Sequence, residues 1–202
     1  HQFRGRREGG FVMTYSTLAS IVKYPFESNL AGKKSKFGFF QSEKEDYLRI
    51  ARELGIKQLS PEGAPLHFAR HPLVYLVEAA DDICYQVMDI EDAHKLKLLT
   101  TEETKALLMG FMNERKKERA EDVFRAVSDT NEQIAYLRST VVGMLIDACT
   151  KVFMENETEI LEGAFEGSLI KRMDPTLYHA YSHCAEVAFT RIYRAKDVLD
   201  VE

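Results

Sequence analysis

The residues best equipped for chemistry gather in one stretch, VEAADDICYQVMDIEDAHK, from Val77 to Lys95. It reads as helix, yet it carries Glu78, Asp81, Asp82, Tyr85, Asp89, Glu91 and Asp92. Positions four apart on a helix share a face and drift by roughly 40° per step, so Asp81, Tyr85 and Asp89 form one slanting polar stripe, with Glu78 one turn earlier beside it. The rest of the circumference (Leu73, Leu76, Val77, Ala80, Ile83, Cys84, Val87 and Met88) is apolar, which predicts a helix buried on most of its sides. A carboxylate in such surroundings must be paired, protonated or bound to a metal, because burying it alone is costly. Two readings are open. In one, Asp82, Glu91 and Asp92 are surface charges, and Asp81 and Asp89 pair with arginines or lysines of neighbouring helices. In the other, the stripe is a binding site. Upstream, Lys23 and Tyr24 stand at a helix end before Pro25, and Lys36 lies in a glycine-containing loop. Lysines as point charges suit a polyphosphate, and a carboxylate suits a metal. Spacing alone does not require these groups to converge.

The elements that must hold them read as helix nearly everywhere. TYSTLASIVKY (Thr14–Tyr24) has apolar residues at Leu18, Ile21 and Val22 and is expected to end at Pro25, because the residue before proline disfavours the helical region. An irregular basic stretch, PFESNLAGKKSKFGFFQ, comes next. SEKEDYLRIARELG then opens with Ser42 and Glu45 at capping-box spacing and closes on Gly55, a helix stop. Further helices are predicted to open near Pro72, at Thr100 with Glu103 three residues on, at SDTNEQ, and at Asp174-Pro175, the last continuing to the chain end. The helix from SDTNEQ is expected to run to Gly163. Strand candidates are confined to GGFVMTY and FGFF. The predicted class is all-α.

The chain has 202 residues, 45% hydrophobic and 29% charged, enough for one ordinary core. A net charge of −5 gives no electrostatic case for nucleic acid or an anionic membrane; nucleic acid stays possible but unsupported by charge. No apolar run approaches the ~18–20 residues that cross a bilayer. Cys84, Cys149 and Cys184 sit in apolar helical patterns and are read as small buried hydrophobes in a reducing compartment. HAYSHC places His179 and His183 four apart, the spacing of two zinc ligands. The metalloprotease pattern needs Glu after the first His, however, and Ala180 stands there, so packing or surface histidines are the expectation. NERKKERAED, with signs interspersed, is read as a solvated face.

Three stretches, TYSTLASIVKYPF, KFGFFQSEK and RHPLVYLVEAADDICYQVMDIEDA, resemble the deoxynucleoside triphosphate triphosphohydrolases (dGTPases) of the HD-domain superfamily. The likeness covers residues 1–100 well and returns at AFTRIYRAKDVLDVE. It implies an all-α, HD-domain-like fold with long C-terminal helices, and metal-assisted cleavage of a dNTP to deoxynucleoside plus tripolyphosphate. By the same resemblance, Asp81, the first Asp after EAA, matches the family's final metal-binding Asp. Tyr85 and Asp89 match residues that contact the deoxyribose, Asp89 accepting from the 3′-hydroxyl. Lys23, Tyr24 and Lys36 match positions that contact the phosphates; Asp82 matches no ligand position. The implied cofactor is a divalent metal (Mg, Mn or another transition metal), and the implied state a cytoplasmic homo-oligomer.

The family's His and His-Asp motifs lie in its N-terminal half, and none of His1, His67, His71, His94, His179 or His183 is followed by Asp. Together with the lack of an initiator Met and an uncapped AKDVLDVE, this predicts a central-to-C-terminal piece. Residues 1–100 would be the C-terminal portion of the HD catalytic domain with substrate-pocket elements. Residues 101–202 would be a helical region packed on it as one unit. One aspartate does not hold a divalent metal against water, so the piece alone is expected to be inactive. No catalytic acid or base is nominated, and the missing N-terminal half is an expected partner. The competing reading is a non-enzymatic helical interaction or regulatory module, in which basic side chains of this same chain cover Asp81 and Asp89.

Overall fold

In the computed structural model, which describes residues 13–33 and 35–194, helices carry most of the described residues. They are α1 (Tyr15–Ser20), α2 (Lys44–Glu53), α3 (Pro72–Lys95), α4 (Thr101–Met109), α5 (Glu114–Ala126), α6 (Thr130–Glu155), α7 (Glu157–Leu161), α8 (Leu169–Arg172) and α9 (Pro175–Val187). The all-α class is as the patterning predicts. Among the described residues there is no strand: FGFF reduces to an isolated bridge between Phe39 and Glu27, and GGFVMTY lies partly outside the described residues, its last residue opening α1. No helix among the described residues is long and apolar enough to cross a membrane. The chain divides into two compact units. One holds the described residues up to Glu78 with Asn156–Glu166, the other Ala79–Glu155 with the described residues from Gly167 on.

In the first unit, α1 opens at Thr14, whose hydroxyl accepts from the Thr17 amide. It stops at Ser20 instead of running on to Tyr24. Tight turns (Val22 N–H to Ala19 O, Lys23 N–H to Ile21 O) take the chain out of the helix well before Pro25. The Ser42–Glu45 capping box does not form either. A 3₁₀ turn, Gln41–Glu43, precedes α2, and it is Glu43 that turns back to accept from the Phe40 amide at 2.9 Å. Gly55 ends α2 at φ +66°, the left-handed stop its type predicts. The core is Phe39, Tyr47, Ala51, Leu66 and Phe68, with Val22, Leu48 and Ile56 against it. The Phe39 and Tyr47 rings stack at 4.5 Å, and burial pushes the Tyr47 phenol up to about 12. Tyr75 donates to the Phe165 carbonyl at 2.8 Å.

In the second unit, the Thr100–Glu103 capping box forms in full: Thr100 N–H donates to Glu103 at 2.8 Å and Glu103 N–H to the Thr100 hydroxyl at 3.2 Å. The helix it starts breaks at Gly110, and Asn113 caps a new one, α5, by accepting from the Lys116 amide. The charges of α5 are surface pairs such as Lys117–Glu114 (2.9 Å), as read. α6 buries Ile134, Leu137, Val141, Leu145, Cys149 and Val152, a three-and-four spaced stripe that packs against α4, α5 and α8. It ends at Glu155, short of Gly163 (φ +68°); the separate α7 that follows belongs to the first unit. Asp174 caps α9 through the Thr176 and Leu177 amides ahead of Pro175. After Val187 the helix widens into a π-turn, Ala188–Ile192, closed by Tyr193 N–H to Ala188 O at 3.0 Å. The rest of AFTRIYRAKDVLDVE, residues 195–202, lies outside the described residues.

α3 departs from expectation. It buries one seam, including Tyr75, Ala79, Ile83, Val87 and Ile90, while Leu73, Leu76, Val77, Cys84 and Met88 are exposed. An apolar circumference states which faces could be buried; only a facing element decides which are. Cys149 and Cys184 are buried as read, Cys84 is not, and all three are free.

Candidate functional site

Among the residues expected at the phosphates, the first unit brings Tyr24 and Lys36 together. The Lys36 ammonium donates to the Tyr24 hydroxyl at 3.2 Å and lies 5.3 Å from the ring centroid. Both line an open recess of about 380 Å³ with Phe26, Gly32 and Lys33. The loop carrying these lysines is tied at its base, where Gly38 N–H donates to Phe26 O (3.0 Å) and Ser28 N–H to Phe39 O (3.2 Å). Two ammonium groups over an open recess can hold an anion without further rearrangement. Lys23 is drawn elsewhere: it pairs with Glu78 at 2.9 Å, and Arg70 reaches the other oxygen of that carboxylate at 2.9 Å while donating to the Lys23 carbonyl.

Gly38 makes this arrangement possible. A Cβ there would stand 2.3 Å from the Tyr24 carbonyl oxygen and 2.6 Å from Val22 Cγ1. Gly38→Ala is therefore expected to destabilise the chain by about 1–3 kcal/mol, read as a lowered urea midpoint. An unchanged midpoint would mean that the loop relaxes freely.

Along α3 the carboxylates divide sharply. Glu78, its side chain 9% exposed, is held in the pairs just described. Glu91, expected at the surface, is buried, and it accepts from Arg138 at 2.7 Å and Lys95 at 3.0 Å. Burial pushes its carboxyl upward, but Lys95 and Arg138 outweigh that and hold it below the usual range. Asp92 is exposed beside Lys95, as read, and Asp82 is half-buried, its carbonyl accepting from the Tyr181 hydroxyl at 3.3 Å.

Asp81 is exposed, and its side chain makes no hydrogen bond or ion pair with any described residue. Tyr85 is 65% exposed. Asp89 accepts a hydrogen bond from the Tyr193 hydroxyl, a contact across more than a hundred positions that spacing could not reveal. Burial, this bond and the Asp89 charge push Tyr193 up to about 12. Neither Asp81 nor Asp89 has an ion pair with a described basic side chain.

No group of three or more His, Cys, Asp or Glu side chains among the described residues is placed to hold a metal ion. These residues do not build a metal centre by themselves; Asp81 offers one carboxylate. His179 and His183 are exposed, and they line a groove of about 770 Å³ with apolar residues that include Leu99, Leu107 and Val187.

No protein-family model matches the chain. Curated relatives do. A deoxyguanosinetriphosphate triphosphohydrolase-like protein of Pseudomonas aeruginosa is 34% identical over 203 residues, which cover 97% of this chain and 43% of the relative. One of the same description from Synechocystis is 33% identical over 182 residues, 85% of this chain and 39% of the relative. A deoxyguanosinetriphosphate triphosphohydrolase of Serratia proteamaculans is 27% identical over 215 residues, 94% of this chain and 40% of the relative. The chain spans less than half the length of these proteins. It is thus related, along nearly all of its own length, to the deoxyguanosinetriphosphate triphosphohydrolase-like proteins.

Proposed function

We propose that the chain is part of a dGTPase-like triphosphohydrolase that cleaves a dNTP to deoxynucleoside and tripolyphosphate. The observation that carries this reading is the division along α3. Glu78 and Glu91 are both held in ion pairs, whereas Asp81 is exposed with no ion pair or side-chain hydrogen bond among the described residues and Asp89 meets a hydroxyl donor instead of a base. Carboxylates kept only for structure would be paired like the first two.

In this proposal Lys36 and Lys23, with Tyr24, neutralise and orient the triphosphate. Lys23 does so while shared with Glu78. Tyr85 packs on the deoxyribose, and Asp89 accepts from its 3′-hydroxyl. An acceptor built for a hydroxyl rejects analogues that lack it, because its own lone pairs would go unmet. A divalent metal (Mg, Mn or another transition metal) belongs to the proposal only as an ion to which Asp81 contributes one ligand, the others lying outside the described residues. Residues 1–100 would form the C-terminal portion of an HD catalytic domain, completed by the rest of a cytoplasmic, homo-oligomeric protein. The competing module reading needs basic cover on Asp81 and Asp89, and the described residues supply none as an ion pair.

Product analysis tests the proposal. The chain joined to its native upstream sequence, incubated with each dNTP and Mn²⁺, should release tripolyphosphate and deoxynucleoside in equal amounts. Monophosphate with pyrophosphate would assign a different bond. No turnover by the folded protein would favour the interaction module.

A further inference from the structure

We propose that Tyr193 is the positioning residue for the sugar-reading carboxylate. Its hydroxyl fixes Asp89 through one oxygen and leaves the other to accept from a nucleotide 3′-hydroxyl, so Tyr193 helps set sugar specificity. The inference rests on the triphosphohydrolase reading above.

The contact is made to Oδ2 of Asp89, and Oδ1 takes no part in it. The type of donor matters. An arginine at this place would engage both oxygens and neutralise the charge, whereas a phenol supplies one proton and leaves a fully charged acceptor. Its proton is firmly held, because burial and Asp89 itself push the phenol up to about 12.

Tyr193 is also held in place from behind. Its own amide closes the π-turn onto Ala188, and Ala188 and Ile192 are buried. Arg191, inside the turn, donates to Glu103 at 2.5 Å and to the Leu98 carbonyl at 3.1 Å, and the Glu103 contact leads in holding that carboxyl down at about 2. Glu103 is in turn fixed by the capping box at Thr100. The extra residue of a π-turn rotates the downstream residues by about 100° relative to an unbroken α-helix. The turn therefore decides which side of the helix presents Tyr193.

The test uses the full-length protein carrying this chain, as wild type, Tyr193→Phe and Asp89→Asn. Each is assayed with dGTP and with 2′,3′-dideoxy-GTP, which lacks the 3′-hydroxyl. Losing one hydrogen bond to a charged acceptor should raise the Tyr193→Phe KM for dGTP about tenfold, leave kcat within about twofold, and shrink the dGTP-over-dideoxy preference in kcat/KM by about tenfold. Asp89→Asn should abolish the preference. Ring-labelled tyrosine NMR, assigned with Tyr193→Phe, reports the contact without any substrate: Asp89→Asn should lower the Tyr193 titration midpoint. A preference unchanged in Tyr193→Phe but lost in Asp89→Asn would make Tyr193 a latch for the last turn and overturn the inference alone. A lowered KM would make it a competitor for Asp89 and overturn the inference too. A wild type indifferent to the 3′-hydroxyl would overturn the underlying reading, and the inference with it.

Discussion

Asp81→Ala, in the chain joined to its native upstream sequence, is expected to cut dNTP hydrolysis by about 10³-fold or more, several kcal/mol of transition-state stabilisation. Its unfolding midpoint should hardly move, because Asp81 is exposed and makes no ion pair or side-chain hydrogen bond with the described residues, and substituting such a residue shifts stability by no more than about 0.5 kcal/mol. That combination is diagnostic. Most substitutions that abolish activity along α3 would do so by damaging the fold: Glu91→Ala would leave Arg138 without its partner at 2.7 Å, and Glu78→Ala would release both Lys23 and Arg70. At Asp81 activity and stability should separate. Calorimetric titration with Mn²⁺ gives a second readout, in which the variant should bind more weakly than the wild type. Retained turnover in a folded Asp81→Ala protein would remove this carboxylate from the site and leave its exposure without a functional account.

How much could be read from the sequence depends on the range of the forces involved. Helix starts at Thr100–Glu103, Pro72 and Asp174-Pro175, and the stop at Gly55, are set by groups within four residues of one another, and all are where patterning places them. The Ser42–Glu45 box has the same local pattern and does not form; the cap falls two residues earlier, where Glu43 accepts from the Phe40 amide at the start of a 3₁₀ turn. Burial is less local. The carboxylates of α3 look alike in sequence, but Glu91 is buried because Arg138 stands opposite, 47 positions away, and nothing near Asp81 predicts its exposure. The same holds for the apolar faces of α3, where Leu73, Leu76, Val77 and Met88 are exposed although their types match those of the buried seam. The proposed roles of Lys23, Tyr24, Lys36, Asp81, Tyr85 and Asp89 come from the resemblance. Spacing supplied only the i, i+4, i+8 stripe, and Tyr193 left no local signal at all.

Glu27→Ala is the substitution expected to cost the fold most, about 2–4 kcal/mol. Glu27 is 1% exposed, and its carboxylate accepts from the Leu66 amide at 2.6 Å, from Gln41 at 3.0 Å and from Lys44 at 3.0 Å. Lys44, partly exposed, can return to water when its partner goes. The Leu66 amide cannot, and an orphaned buried N–H carries the full loss of solvation. The pH dependence has a definite sign. Burial pushes the Glu27 carboxyl upward, but the Leu66 amide, Lys44 and Gln41 together hold it below its ordinary 4.5. A depressed folded value means that the unfolded chain takes up the proton first. The stabilisation is therefore complete above the unfolded value and is lost as pH falls through the folded one. Urea midpoints of wild type and Glu27→Ala should differ by a constant amount from neutrality down to about pH 5, and the gap should close below that. A gap that widened in acid would show that the carboxyl is held protonated, the opposite arrangement. Glu27 also anchors the base of the lysine loop through its bridge to Phe39. If Lys36 binds phosphate as proposed, conditions that unfasten Glu27 should weaken that binding before the second unit unfolds, so nucleotide affinity is expected to fall at a higher pH than helicity does.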